Sequence, residues 1–209
     1  MKRYEVPNVS LKEPHCTEFL IRRSRFLTHC AHTPDPQTAR AFIEQIRRKY
    51  ADATHNCWAY AAGAPGDTAL IGYSDDGEPH GTAGRPMLQL LLHGSVGEVC
   101  FVVSRWFGGV KLGTGGLMRA YQESVRNNLS TLPVCQRVQE NTLTFSIAYA
   151  YLDSLRRILP VYEARIESEI YQIDVNVVIR LPGESTIAFI HALTELTSGS
   201  VSVKQNANQ

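Results

Sequence analysis

The segment Arg105-Trp106-Phe107-Gly108-Gly109-Val110-Lys111-Leu112-Gly113-Thr114-Gly115-Gly116-Leu117 follows an apolar run and precedes a helical pattern. Consecutive glycines let main-chain N–H groups converge on an anion, and a helix N-terminus adds unpaired donors and a partial positive charge. Arg105, Lys111 and, one turn on, Arg119 add full charges suited to a phosphate. Neither GxxxxGK[ST] nor GxGxxG is present, so no nucleotide-binding motif is matched. The same residues also suit a tight structural crossover with Trp106 and Phe107 in the core. In Ser74–Pro86, Asp75, Asp76, Glu78 and His80 offer carboxylates and an imidazole within six residues. These are weak candidates for a divalent cation. The alternative, favoured here, is a solvated turn leading to a helix capped by Thr82. Arg85, beside a glycine pair, is the residue of this segment best placed for an anion. His55 and Cys57 are two apart, so on a strand they share a face. A Cys–His nucleophile is conceivable, but Cys57 lies in an apolar run and reads as an inert buried thiol. Arg23 and Arg25, pointing one way on a strand, either protect a solvated edge or extend a phosphate-contacting track.

The elements that must position these residues are of mixed type. Strands are expected at Thr17–Ile21, Phe26–Ala31, Cys57–Ala62, Ala69–Tyr73 and Val99–Arg105. A helix opens at Pro34-Asp35-Pro36 with Ala39, Phe42, Ile43, Ile46 and Tyr50 on one face at helical spacing. Pro86–Leu92 reads as helix, Gly108–Gly116 as loop, and Leu117, Ala120, Tyr121, Val125 and Leu129 as one stripe of a long helix. Beyond Thr131–Val134, which reads as a linker, the rhythm is cleaner. Strand Thr142–Ala148, helix Leu152–Leu159, strands Arg165–Tyr171 and Ile173–Leu181, a helix through Ile187–Leu196 and strand Val201–Lys204 spell βαββαβ. The fold class is therefore α+β in two domains, 1–132 and 133–209.

The 209 residues carry 21 Lys and Arg against 20 Asp and Glu, a formal net charge of +1. This excludes a strongly basic nucleic-acid coat, so any anion-binding surface is local. All but two of the 15 glycines fall between Gly63 and Gly116, and that stretch holds the candidate chemistry. The five cysteines form no CxxC pair, and the odd, scattered set reads as buried free thiols in a reducing cytosol. No apolar run approaches the roughly 20 residues of a membrane span. The charged start MKRYEVPN has no apolar run behind it and does not read as a signal peptide. A cytoplasmic protein without membrane contact is expected.

Ser24-Arg25-Phe26, His55-Asn56-Cys57-Trp58-Ala59, SDDGEPHGTAGRPM at 74–87 and RWFGGVKLGTGGLMRAY at 105–121 together resemble the IMPACT family in its bacterial YigZ branch. The resemblance covers nearly the whole chain. It implies an N-terminal domain like the second domain of small-subunit ribosomal protein five, with a left-handed βαβ crossover. It also implies a ferredoxin-like C-terminal domain similar to late domains of elongation factor G. The expected function is a non-enzymatic binding protein that engages RNA, the ribosome or a translation-associated protein and acts in regulation of translation. The binding residues would be Arg23, Arg25, His55, Arg85, Arg105, Gly108, Gly109, Lys111, Gly113, Thr114, Gly115, Gly116 and Arg119. No cofactor or metal is called for, and nothing in the pattern specifies an oligomer. The alternative is an enzyme acting on a small phosphorylated substrate or nucleotide, with Asp75, Asp76 and Glu78 carrying magnesium and His55 as acid or base.

Overall fold

The structure, a computed structural model, describes residues 3–138 and 140–206. The chain forms two compact units, Tyr4–Arg137 and the part from Val138 onward, which Arg3 joins. The boundary expected at 132/133 falls just before a strand, Val134–Arg137, that pairs with Tyr4–Pro7 in the larger unit.

In chain order the larger unit has β1 (Tyr4–Pro7), β2 (His15–Ile21), β3 (Ser24–His32), α1 (Pro36–Lys49), β4 (His55–Ala61), β5 (Ile71–Ser74), α2 (Gly84–His93), β6 (Val99–Trp106), α3 (Thr114–Leu129) and β7 (Val134–Arg137). Five strands form a sheet in the order β2-β3-β6-β4-β5, with every neighbouring pair antiparallel. β3 and β4 therefore run parallel, joined through α1, with β6 inserted between them. The uninterrupted apolar run of β6 has a simple cause: both of its faces are covered. Val99, Phe101 and Val103 pack with Met87 and Leu91 of α2 and Leu117, Tyr121 and Val125 of α3. Cys100 and Val102 pack with Phe42, Ile43 and Ile46 of α1 on the other side. Asp35 caps α1, its carboxylate accepting from the Thr38 N–H at 2.7 Å, and Arg47, Arg48 and Lys49 close the helix where its dipole favours cations.

The smaller unit runs β8 (Glu140–Ile147), α4 (Leu152–Ile158), β9 (Arg165–Tyr171), β10 (Val175–Pro182), α5 (Thr186–Leu196) and β11 (Val203–Asn206). Its sheet order is β11-β8-β10-β9, all antiparallel. This is the βαββαβ succession read from the sequence. Leu143, Phe145 and Ile147 of β8 and Val175, Val177, Ile179 and Leu181 of β10 alternate inward against Leu155, Phe189 and Leu193. No helix among the described residues is long and apolar enough to cross a membrane.

Arg23 does not share a strand with Arg25, as their spacing suggested; it lies with Arg22 in a turn. Ile21 pairs with Ser24, and the two arginines form the intervening two-residue turn with φ of 44° and 65°. Positive φ at both positions matches the twist of the flanking strands, so the pointing argument for Arg23 does not hold.

Candidate functional site

A cleft of about 420 Å³ opens in the larger unit where the start of β4, the end of β6, the 107–113 loop and the start of α3 meet. It is lined by Thr54, His55, Glu78, Arg105, Phe107 and Lys111, among others. Its shape depends on two close approaches. A Cβ on Gly108 would lie 2.0–2.4 Å from the backbone of Arg23 and Ser24, so only glycine lets the loop rest on the β2–β3 turn. A Cβ on Gly84 would lie 2.6–2.8 Å from the backbone of Ser74, so glycine also sets α2 against the end of β5.

Each carboxylate of the acidic turn before α2 takes hydrogen bonds from within the fold. The Asp75 carboxylate accepts from the N–H groups of Gly81, Ala83 and Gly84 at 2.8, 3.0 and 2.8 Å, and so caps α2. The cap expected from Thr82 is not made, because its hydroxyl donates instead to the Pro79 carbonyl. Asp76 accepts from the Asn56 N–H at 2.6 Å and from Arg47 at 3.2 Å. Glu78 is buried, and its Oε1 accepts from Arg105 Nη1 at 2.6 Å and Tyr121 Oη at 2.8 Å. The three acids thus diverge, and no group of three potential ligands able to hold a metal ion exists among the described residues.

Arg105 is 5% exposed. Its Nη2 reaches the Ser24 hydroxyl at 3.4 Å, its Nε has no partner, and its guanidinium lies over the rings of Phe26 and Phe107. Expected to bring positive charge to a phosphate, it has that charge matched by Glu78 instead. Arg25 is likewise paired, with Glu18 at 3.1 Å, and stacks on Trp106. Arg85 is exposed on α2, but Asp75 already occupies the N–H groups that start that helix.

His55 Nδ1 lies 2.8 Å from the Asp76 carbonyl oxygen. A carbonyl only accepts, so Nδ1 carries a hydrogen, and in the tautomer that this bond selects Nε2 offers a lone pair. That Nε2 is 3.9 Å from Glu78 Oε2. Cys57 Sγ sits against the Asp75 carbonyl and the Tyr121 hydroxyl, and burial pushes both the thiol and the phenol well up. Neither ionises near neutrality, which agrees with an inert thiol and removes a Cys57–His55 nucleophile.

The start of α3 is different. Its N-cap, Gly113 (φ 73°), gives no side-chain cap, and the first turn has no acidic residue. Thr114 and Gly115 are exposed there, and Gly116 beside them on the same turn is partly buried. Lys111 lines the cleft, and the Arg119 guanidinium folds back to within 3.8 Å of where a Cβ of Gly115 would stand. Neither cation has a carboxylate partner among the described residues. The structure therefore brings together His55, Arg105, Lys111, Gly113 and Thr114 in the cleft, with Gly115, Gly116 and Arg119 on the first turns of α3. Gly108 and Gly109 shape its loop. The Arg23 backbone meets that loop at Gly108, and Arg23, Arg25 and Arg85 do not line the cleft. Tyr121 and Phe107 belong to the site although nothing in the motif pattern marks them as site residues. Tyr121 carries a legible signal, a hydroxyl within an apolar helical stripe that must find a buried partner.

Residues 22–129 match the Impact N-terminal domain, and residues 145–200 match a domain of unknown function, DUF1949. The chain is 36% identical over 204 residues to an IMPACT family member of Haemophilus influenzae, covering 98% of this chain and 97% of that one. It is 39% identical over 181 residues to the IMPACT family member YigZ of Escherichia coli, covering 87% and 89%. A crystal structure described as that of a hypothetical protein matches with a TM-score of 0.70 and 35% identity over the whole of both chains. With the likeness running through both units, the chain belongs to the IMPACT family.

Proposed function

We propose that this protein is a non-enzymatic binding protein that engages RNA, free or in the ribosome, through a backbone phosphate held at the start of α3, and that it acts in regulation of translation. The observation that carries the reading is the exposed, uncapped first turn of α3 flanked by Lys111 and Arg119, two cations with no carboxylate partner among the described residues. Such a turn is a ready anion site, and phosphate contacts position a strand without reading its sequence. Half-exposed Phe107 on the cleft wall suits stacking against a base of any identity. The reading also takes residues 1–132 as similar to the second domain of small-subunit ribosomal protein five, with a left-handed crossover through α1. It takes residues 133–209 as a ferredoxin-like domain similar to late domains of elongation factor G, and the protein as cytoplasmic. The enzymatic alternative loses its magnesium ligands, because Asp75, Asp76 and Glu78 are each committed to different partners.

The test is binding of single-stranded RNA and of purified ribosomes to wild type and to Lys111→Glu/Arg119→Glu at several salt concentrations. The double variant is expected to bind at least tenfold more weakly. Its log–log salt slope is expected to fall by about 0.7 for each single-strand phosphate that the variant no longer neutralises. Unchanged affinity and slope would overturn the site.

A further inference from the structure

The cleft has opposite hydrogen-bonding characters at its two ends, and this restricts what can fill it. The mouth is a donor surface: the first turn of α3, Lys111 and Arg119. The floor, beside the paired guanidinium of Arg105, also presents acceptors. Glu78 has a side chain only 3% exposed, and its Oε1 is saturated by Arg105 and Tyr121. Its Oε2 receives no hydrogen bond from any described residue and faces His55 Nε2 at 3.9 Å, too far for a bond between them. Since Nδ1 of His55 holds the proton on the Asp76 carbonyl, Nε2 is also an acceptor. Two acceptors side by side, one on a buried carboxylate and the other on a partly exposed ring, disfavour a phosphate and suit two adjacent donors.

Resting on the reading that the mouth holds an RNA phosphate, we infer that the cleft holds the 3′-terminal nucleotide of an RNA. Its 5′-phosphate lies at the start of α3, and its ribose 2′,3′-diol donates to Glu78 Oε2 and His55 Nε2. A vicinal diol supplies two O–H donors on neighbouring carbons, and an acidic residue accepting from a ribose hydroxyl is a recurrent solution in nucleotide sites. An internal nucleotide has its 3′-oxygen esterified and offers one donor only, so pairing both acceptors selects the terminus. A volume of about 420 Å³ is of the size that holds one small ligand. The 2′-hydroxyl contact selects RNA over DNA.

The test is fluorescence anisotropy of the full chain with a 5′-labelled oligoribonucleotide carrying four different ends: 2′,3′-diol, 2′-deoxy, 2′,3′-dideoxy and 3′-phosphate. The diol end is expected to bind best. The dideoxy end is expected to lose at least about tenfold, because a buried charged acceptor is left unpaired, and the 3′-phosphate end to lose as much by meeting Glu78. Lys111→Glu is expected to weaken all four ends alike. Glu78→Gln, checked for folding by circular dichroism, is expected to bring the diol and dideoxy ends together. The wild-type series decides the matter even if that variant does not fold. Equal affinity for all four ends, with binding still dependent on Lys111, would overturn this inference and leave the phosphate reading in place. Absence of RNA binding would overturn the phosphate reading. Adenosine 5′-monophosphate against its 2′,3′-dideoxy analogue then decides the diol site by itself, equal binding or none overturning it.

Discussion

Glu78 is the residue on which the cleft turns. It takes two hydrogen bonds on one oxygen from Arg105 and Tyr121, and it and Arg105 are both almost fully enclosed. Removing one member of a buried ion pair strands the other charge in a low-dielectric site, whereas replacing both with apolar groups of similar volume often costs little. Glu78→Ala is therefore expected to destabilise the protein by about 3–5 kcal/mol in urea denaturation. Arg105→Met should cost a comparable amount, and the double variant Glu78→Leu/Arg105→Met clearly less than the sum of the two. A loss under about 1 kcal/mol for Glu78→Ala would place the pair among solvent-screened ion pairs instead. The Nε of Arg105 has no hydrogen-bond partner among the described residues.

At the scale of elements, the glycine loop is held by contact and not by flexibility. Gly108 needs its missing side chain because the Arg23 and Ser24 backbone fills that space, while Gly109, with φ of 83°, has nothing within 4 Å of its notional Cβ. Gly108→Ala must push two backbone segments apart and is expected to cost about 2–3 kcal/mol and to weaken RNA binding through displacement of Lys111. Gly109→Ala is strained only in its backbone conformation, by about 1 kcal/mol. Equal melting temperatures for the two variants would contradict this packing. The covered elements are legible in the sequence: β6 as a continuous apolar run, α1 with its Asp35 cap, and the βαββαβ succession all follow from local pattern. What stays hidden there is non-local. β1 and β7 are four residues each, one of them ending in Pro7, and exist only because distant segments pair. Two arginines at a hairpin turn give no glycine or asparagine signal. Asp75 caps α2 from upstream of a glycine turn, whereas sequence proximity favours Thr82. Thr114–Gly116 reads as loop because glycine is a poor helix former, yet the first turn of a helix needs no internal N–H partner. Residue type identifies the cations that could meet an anion, but whether a neighbouring carboxylate already matches each charge depends on tertiary pairs such as Arg105–Glu78.

At the scale of the molecule, the two units invite a probe that follows one of them, and both tryptophans, Trp58 and Trp106, lie in the larger. Buried His29 is expected to shape how that unit responds to acid. It is 2% exposed, its Nε2 lies near Tyr50 Oη at 3.2 Å and Cys16 Sγ at 3.5 Å, and its Nδ1 is unpartnered. Burial, with Lys49 adding to it, pushes its pKa down to about 4. Below an unfolded value of about 6.5 the unfolded chain takes up a proton that the folded chain refuses until about pH 4, so stability falls as pH drops through that window. The loss expected by pH 4 is about 3 kcal/mol. Glu98 acts in a lower range. Burial alone would raise its pKa, but hydrogen bonds from His32 and Tyr4 outweigh that and hold it low, so its contribution is lost only as pH falls through its depressed folded value. Urea denaturation followed by tryptophan fluorescence between pH 7.5 and 4.5 is therefore expected to show wild type losing stability steeply. His29→Gln, which can keep a hydrogen bond to Tyr50 but has nothing to protonate, should give a markedly flatter profile. Parallel profiles for the two proteins would mean that the imidazole is protonated in the folded state over this range, and that its burial does not control the acid response.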